Sequence, residues 1–146
     1  MVIGLTGRYC AGKDAVARIL GRRGFAVLDV DRIGHEVLEE RRDAVAAAFG
    51  ESVRRADGSI DRRAVGRIVF ADPAALALLE GIVHPAMVER VRSLAAVETA
   101  AGRDAVVNAA LLRHMRLDRY CDAVVEVRAR AFRRFFRGLQ IGRAHV

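Results

Sequence analysis

Val2-Ile3-Gly4-Leu5-Thr6-Gly7-Arg8-Tyr9-Cys10-Ala11-Gly12-Lys13-Asp14-Ala15-Val16-Ala17-Arg18-Ile19-Leu20 decides the fold. It reads as a buried strand over Val2 to Thr6, a glycine loop, and a helix from Lys13 to Arg23 that Gly24 ends. Gly7 to Lys13 satisfies the pattern G-x-x-x-x-G-K, and a strand before it with a helix after it is the setting in which that pattern binds phosphate. Arginine and lysine total 25, yet Lys13 is the only lysine. A chain that otherwise carries its positive charge on arginine has a lysine at the one position where a phosphate loop uses one.

The chemistry of the loop follows from its backbone. Gly7 and Gly12 let the main chain turn and approach an anion with no Cβ in the way. The N–H groups of Cys10, Ala11, Gly12, Lys13, Asp14 and Ala15 are then candidates to face a nucleotide phosphate, where the helix dipole also favours negative charge. Lys13 supplies a compact ammonium that can bridge β- and γ-phosphates. Asp14 stands where such loops place a serine or threonine. It reads either as a carboxylate ligand to Mg²⁺ or as an acidic residue that favours the first helical turn. Cys10 reads either as a thiol made acidic beside a helix N-terminus or as a small residue that fits the loop.

The 146 residues, 53% of them hydrophobic, suit one domain with a real core and contain no membrane span. The two cysteines, Cys10 and Cys121, make no disulfide framework, and no secretory signal is visible, so a cytoplasmic protein is expected. The formal charge of +7 invites a nucleic-acid reading. Arginines interspersed with acidic residues and only 5% aromatic content argue against it.

Outward from the loop, Phe25-Ala26-Val27-Leu28 reads as a second strand ending in Asp29-Val30-Asp31-Arg32, which sets two carboxylates at a strand's carboxyl edge. Helices are expected over Ile33 to Glu40, Asp43 to Phe49, Asp61 (as cap) to Phe70, and from Asp72-Pro73 (cap and first residue) onward. Asp57-Gly58 marks a turn, and His84-Pro85 is expected to interrupt the helical pattern before Ala86 to Ala101. Ala105 to Asn108 and Ala123 to Val127 read as further strands, giving an α/β fold with a parallel sheet. In a last helix, Arg128 to Arg137, the residues Arg130, Arg133, Arg134 and Arg137 share one face. That face is either the start of a lid over phosphates or a solvated basic surface.

Together with the loop, Val27 to Val37, Asp57-Gly58-Ser59-Ile60-Asp61-Arg62, Gly66 to Phe70 and Ile82-Val83-His84-Pro85 closely resemble the dephospho-CoA kinase family over about residues 2 to 137. The resemblance implies a three-layer P-loop kinase fold with a helical acceptor-binding insertion. It also implies transfer of the ATP γ-phosphoryl group, with Mg²⁺, to the ribose 3′-hydroxyl of dephospho-CoA in the last step of coenzyme A synthesis. By the same resemblance, Gly7 to Asp14 meets the ATP phosphates and Asp31 accepts the proton of the attacking hydroxyl. His35 and His84 fall in the acceptor region, and Arg134 and Arg137 belong to the lid. Asp31 also reads as a cap for the helix from Ile33, and His84 as a structural residue before Pro85.

The implied domain is a single P-loop kinase domain over 1–139, with the acceptor-binding region at about 32–101 and the lid beginning at about 128–139. Residues 140–146 follow no helix or strand logic and are expected to be a non-native tail on an incomplete domain. Two departures from the family pattern stand out: Asp14-Ala15 for Ser-Thr, and Ala110-Leu111-Leu112-Arg113 where Pro-Leu-Leu-Phe-Glu is usual. The remaining readings are another P-loop small-molecule or nucleotide kinase, and a nucleotide-binding homologue with weak catalysis.

Overall fold

The computed structural model describes residues 1–8 and 11–128. Cys10, Arg134, Arg137, nearly all of the expected lid segment and residues 140–146 lie outside the described residues. In chain order the elements are β1 (Val2–Gly7), α1 (Lys13–Arg22), β2 (Ala26–Asp29), α2 (Val30–Glu40), α3 (Arg42–Phe49), α4 (Arg62–Ala71), α5 (Pro73–Ala100), β3 (Ala105–Asn108) and β4 (Ala123–Val127). They form two units, one holding Met1–Val30 and the chain from Val91 onward, the other Asp31–Arg90.

The first unit is built on an all-parallel sheet of order β2-β3-β1-β4. Its interior strands are apolar because parallel strands covered on both faces have no polar side to present. Leu5 and Val106 are fully buried, and α1 packs Ala17, Val16 and Leu20 against them. A Cβ on Gly4 would lie 2.7 Å from Leu112 Cδ2 and 3.0 Å from Cys121 Sγ, so glycine there admits the fully buried Leu112. Burial also pushes the Cys121 thiol up to about 11, which keeps it protonated at neutral pH.

The register sets the polar ends of the strands in line. Asn108 lies opposite Leu5 of β1 on one side and Asp29 of β2 on the other, while Gly7 lies opposite Val127 of β4. In a parallel sheet this carboxyl edge is where ligands bind.

The second unit is helical around Val45, Ala46, Val53, Ile60, Ala64, Val65 and Val69, with Leu38, Phe49, Leu79 and Ile82 packed onto that cluster. Its turns follow local chemistry. Asp57 Oδ1 accepts from both Ser59 N and Ser59 Oγ, and the turn closes an antiparallel bridge between Arg54 and Ile60. Asp61 caps α4 by accepting from Arg63 N and Ala64 N, and Asp72 caps α5 through Ala74 N with Pro73 as its first residue.

The Ala64 amide and its neighbour hold the Asp61 carboxyl below the ordinary aspartate range. The native state therefore binds this proton less readily than the unfolded chain. The stability it contributes is complete above about pH 4 and is lost as pH falls through the lower native value. Asp61→Asn keeps a capping acceptor but removes the titration. Its urea midpoint is expected to fall less between pH 6 and pH 3 than that of the parent chain, and an identical decline in both would refute the assignment.

Three sequence expectations need correction. His84-Pro85 does not interrupt the helical pattern: α5 runs unbroken through Pro85. The ring removes the amide that would bond Gly81 O, but Gly81 is exposed and its carbonyl can be hydrated, while the buried Val83 and Met87 hold the helix on either side. Asp31 is not an outside cap for a helix at Ile33, because α2 begins at Val30 and places Asp31 in its first turn, where the dipole favours a carboxylate. The second strand likewise begins at Ala26, one residue later than expected, because Phe25 N closes α1 on Leu20 O.

Candidate active site

Gly7 ends β1 where a Cβ would sit 2.5 Å from the carbonyl oxygen of Val127. The contact is with backbone, which cannot swing aside. Gly7→Ala is therefore expected to destabilise the first unit by about 1–3 kcal/mol, the usual cost of overpacking. A denaturation midpoint unchanged from that of the parent chain would contradict this.

Gly12 has φ 100°, in the left-handed region that glycine occupies without strain. Its carbonyl accepts from Ala15 N and Val16 N, which starts α1 directly behind the loop. No side chain among the described residues caps that helix, so its positive N-terminal pole is left for an anion. Ala11 is buried and its amide donates to Arg8 O, folding the loop back on itself.

Lys13 is the first residue of α1, and its side chain is only 12% exposed. Its Nζ donates to Asn108 Oδ1 at 2.7 Å and pairs with Asp14 Oδ1 at 3.3 Å. Asn108 Nδ2 donates to the same Asp14 oxygen at 3.2 Å, closing a triangle of three side chains. The Asn108 amide is the principal cause that holds the Asp14 carboxyl below the usual aspartate range, and the Lys13 charge adds to it. Asp14 is thus ionised at neutral pH with its side chain 81% exposed, the donor chemistry that a hard divalent cation requires. Nearby, the buried Thr6 donates Oγ1 to Ala110 O and ties the end of β1 to the segment after β3.

The structure thus brings Gly7, Ala11, Gly12, Lys13, Asp14 and Ala15 together in one unit at the sheet's carboxyl edge, with Asp29 exposed at the end of β2. Asp31, His35 and His84 belong to the second unit. There Asp31 and His35 are exposed and four residues apart on α2, which sets them on one face, and His84 is half-buried on α5. Asn108 was not singled out from sequence as a site residue. The available signal was a lone polar residue closing an apolar strand at the binding edge.

A strand, a left-handed glycine turn and a helix headed by a strand-anchored lysine, set against a parallel sheet, define a P-loop fold of the kinase type. A model of the dephospho-CoA kinase family matches residues 1–144, and the chain belongs to that family. Among its relatives, the dephospho-CoA kinase of Streptomyces avermitilis is 49% identical over 108 residues, covering 72% of this chain and 51% of that protein. The Borreliella burgdorferi dephospho-CoA kinase is 30% identical over 131 residues, covering 89% of this chain and 63% of its own length. The crystal structure of TT1252 from Thermus thermophilus superposes with a TM-score of 0.80 at 30% identity, over 96% of this chain and 71% of that one. The chain thus spans about half to two thirds of the curated relatives it matches. Among the described residues no helix is long and apolar enough to cross a membrane.

Proposed function

We propose that the chain carries the nucleotide site of an ATP-dependent dephospho-CoA kinase, which transfers the γ-phosphoryl group to the ribose 3′-hydroxyl of dephospho-CoA. The observation that carries this reading is the lysine ammonium fixed 2.7 Å from Asn108 Oδ1 at the end of β3, immediately behind a left-handed glycine turn. Lys13 and the amides of the loop would hold the polyphosphate, and Asp14 would hold Mg²⁺. When bound, the metal neutralises charge on the phosphate oxygens. Asp31 is the proposed acceptor of the hydroxyl proton, with His35 and His84 contacting the acceptor and Arg134 and Arg137 covering the phosphates. Asp31 follows Asp29, at the end of β2, by two residues, which keeps it in sequence next to the binding edge.

Small-molecule substrates are favoured over nucleic acid because many arginines already face carboxylates. Arg54 pairs with Asp43 and Glu51, Arg90 with Glu40, Arg103 with Glu98 and Arg128 with Glu126. The cytoplasm, where ATP is available, is the proposed setting. One observation favours the second reading, a nucleotide-binding homologue with weak catalysis: the Lys13 ammonium already has two oxygen partners that compete with phosphate.

The deciding experiment offers Mg²⁺-ATP with dephospho-CoA or with nucleoside monophosphates and follows ADP release, alongside calorimetric ATP binding. Release dependent on dephospho-CoA alone is the expected result. Release with nucleoside monophosphates points to a different kinase, and ATP binding with no release points to the weak homologue.

A further inference from the structure

P-loop phosphotransferases hold Mg²⁺ from two sides, by a hydroxyl directly after the loop lysine and by an aspartate from elsewhere in the sheet. Here the residue after Lys13 is a carboxylate, Asp14, and β3, the strand that neighbours β1, ends in an amide, Asn108. We infer that Asp14 and Asn108 have exchanged these roles. Asp14 supplies from the helix the carboxylate that such sites take from the strand, and Asn108 is the positioning residue on the strand that fixes both Asp14 and Lys13. The inference rests on the phosphate-site reading above and concerns this pair of residues only.

The geometry makes each residue require the other. Asn108 is 5% exposed and offers one acceptor and one donor group, and both are used: Oδ1 takes the Lys13 ammonium at 2.7 Å, and Nδ2 donates to Asp14 at 3.2 Å. An aspartate at 108 would lose the donor and set a second carboxylate against Asp14, with one ammonium between them. A serine at 14 would lose the acceptor that Nδ2 now reaches and leave the site without a carboxylate there. The formal charge of lysine, aspartate and asparagine is zero, the same as that of lysine, serine and aspartate. Exchange of the two positions together conserves that sum, whereas either change alone does not.

Four proteins test this: the parent chain, Asp14→Ser, Asn108→Asp and the double variant. Thermal midpoints are measured in EDTA without nucleotide, and ATP affinity by calorimetry with Mg²⁺ and with EDTA. Asn108→Asp is expected to lower the metal-free midpoint by several degrees, and the double variant to regain at least half of that loss. With Mg²⁺, Asp14→Ser should weaken ATP binding by ~10–100-fold and Asn108→Asp by ~10-fold, while the double variant returns to within ~3-fold of the parent. Additive effects in both readouts overturn the inference, as does an Asp14→Ser variant whose ATP affinity gains as much from Mg²⁺ as the parent's does. If Asn108→Asp fails to fold and the double variant folds, the inference stands; if both fail, it falls. A parent chain that does not bind ATP refutes the phosphate-site reading, while the metal-free midpoints still decide whether the two positions are exchanged.

Discussion

Lys13→Ala is expected to lower kcat/KM for phosphoryl transfer from ATP to dephospho-CoA by at least ~10²–10³-fold, the scale of losing one preorganised charged donor at a transferring group. The ammonium is nearly enclosed and held on Asn108, so it reaches the phosphates already oriented and loses little entropy when charge develops. Lys13→Arg should recover only a small part of the loss, because a planar guanidinium cannot replace a compact charge in a space shaped by Asn108 and Asp14. Lys13→Ala also leaves the buried Asn108 Oδ1 without its Lys13 partner, so the thermal midpoint is to be recorded beside the kinetics. A folded Lys13→Ala protein retaining a tenth or more of the parent's kcat/KM would remove Lys13 from the mechanism.

The second large effect is expected at Asp31. Positioned general bases contribute about 10²–10⁴-fold, so Asp31→Asn should reduce kcat by that order and leave the KM for ATP nearly unchanged. Asparagine keeps the shape and the first-turn position on α2, while the group that would take the hydroxyl proton is gone. Asp29→Asn is the informative comparison, since Asp29 ends β2 opposite Asn108 and carries no proposed proton transfer. A larger loss of kcat at Asp29 than at Asp31 would move the base from one carboxylate to the other.

How much of this was legible in the sequence depended on the range of the interactions involved. The strand over Val2–Gly7, the helix over Lys13–Arg22, the Asp61 and Asp72 caps and the Asp57-Gly58 turn are set by neighbours within a few positions, and all form as the residue types imply. Asn108 reaches Lys13 across 95 positions, and no local pattern marks an asparagine at a strand end as the partner of a distant lysine. Pro85 misled in the opposite sense. Its intrinsic cost of about 3 kcal/mol argues for a break, yet buried side chains on both flanks keep the helix whole. The loop was readable as chemistry, whereas the residue that aims its charge became visible only when β3 was laid beside β1.

The pairing of β1 has a consequence for synthesis. Its partners begin at Ala105 on one side and Ala123 on the other, so during translation the strand bearing the phosphate loop remains without a sheet neighbour until Ala105 to Asn108 have left the ribosome. The helical cluster from Val45 to Val69 draws on residues emerging close together and has all its buried members available well before then. The earliest-made segment of the nucleotide site therefore waits for its sheet until after every buried member of that helical cluster has been made.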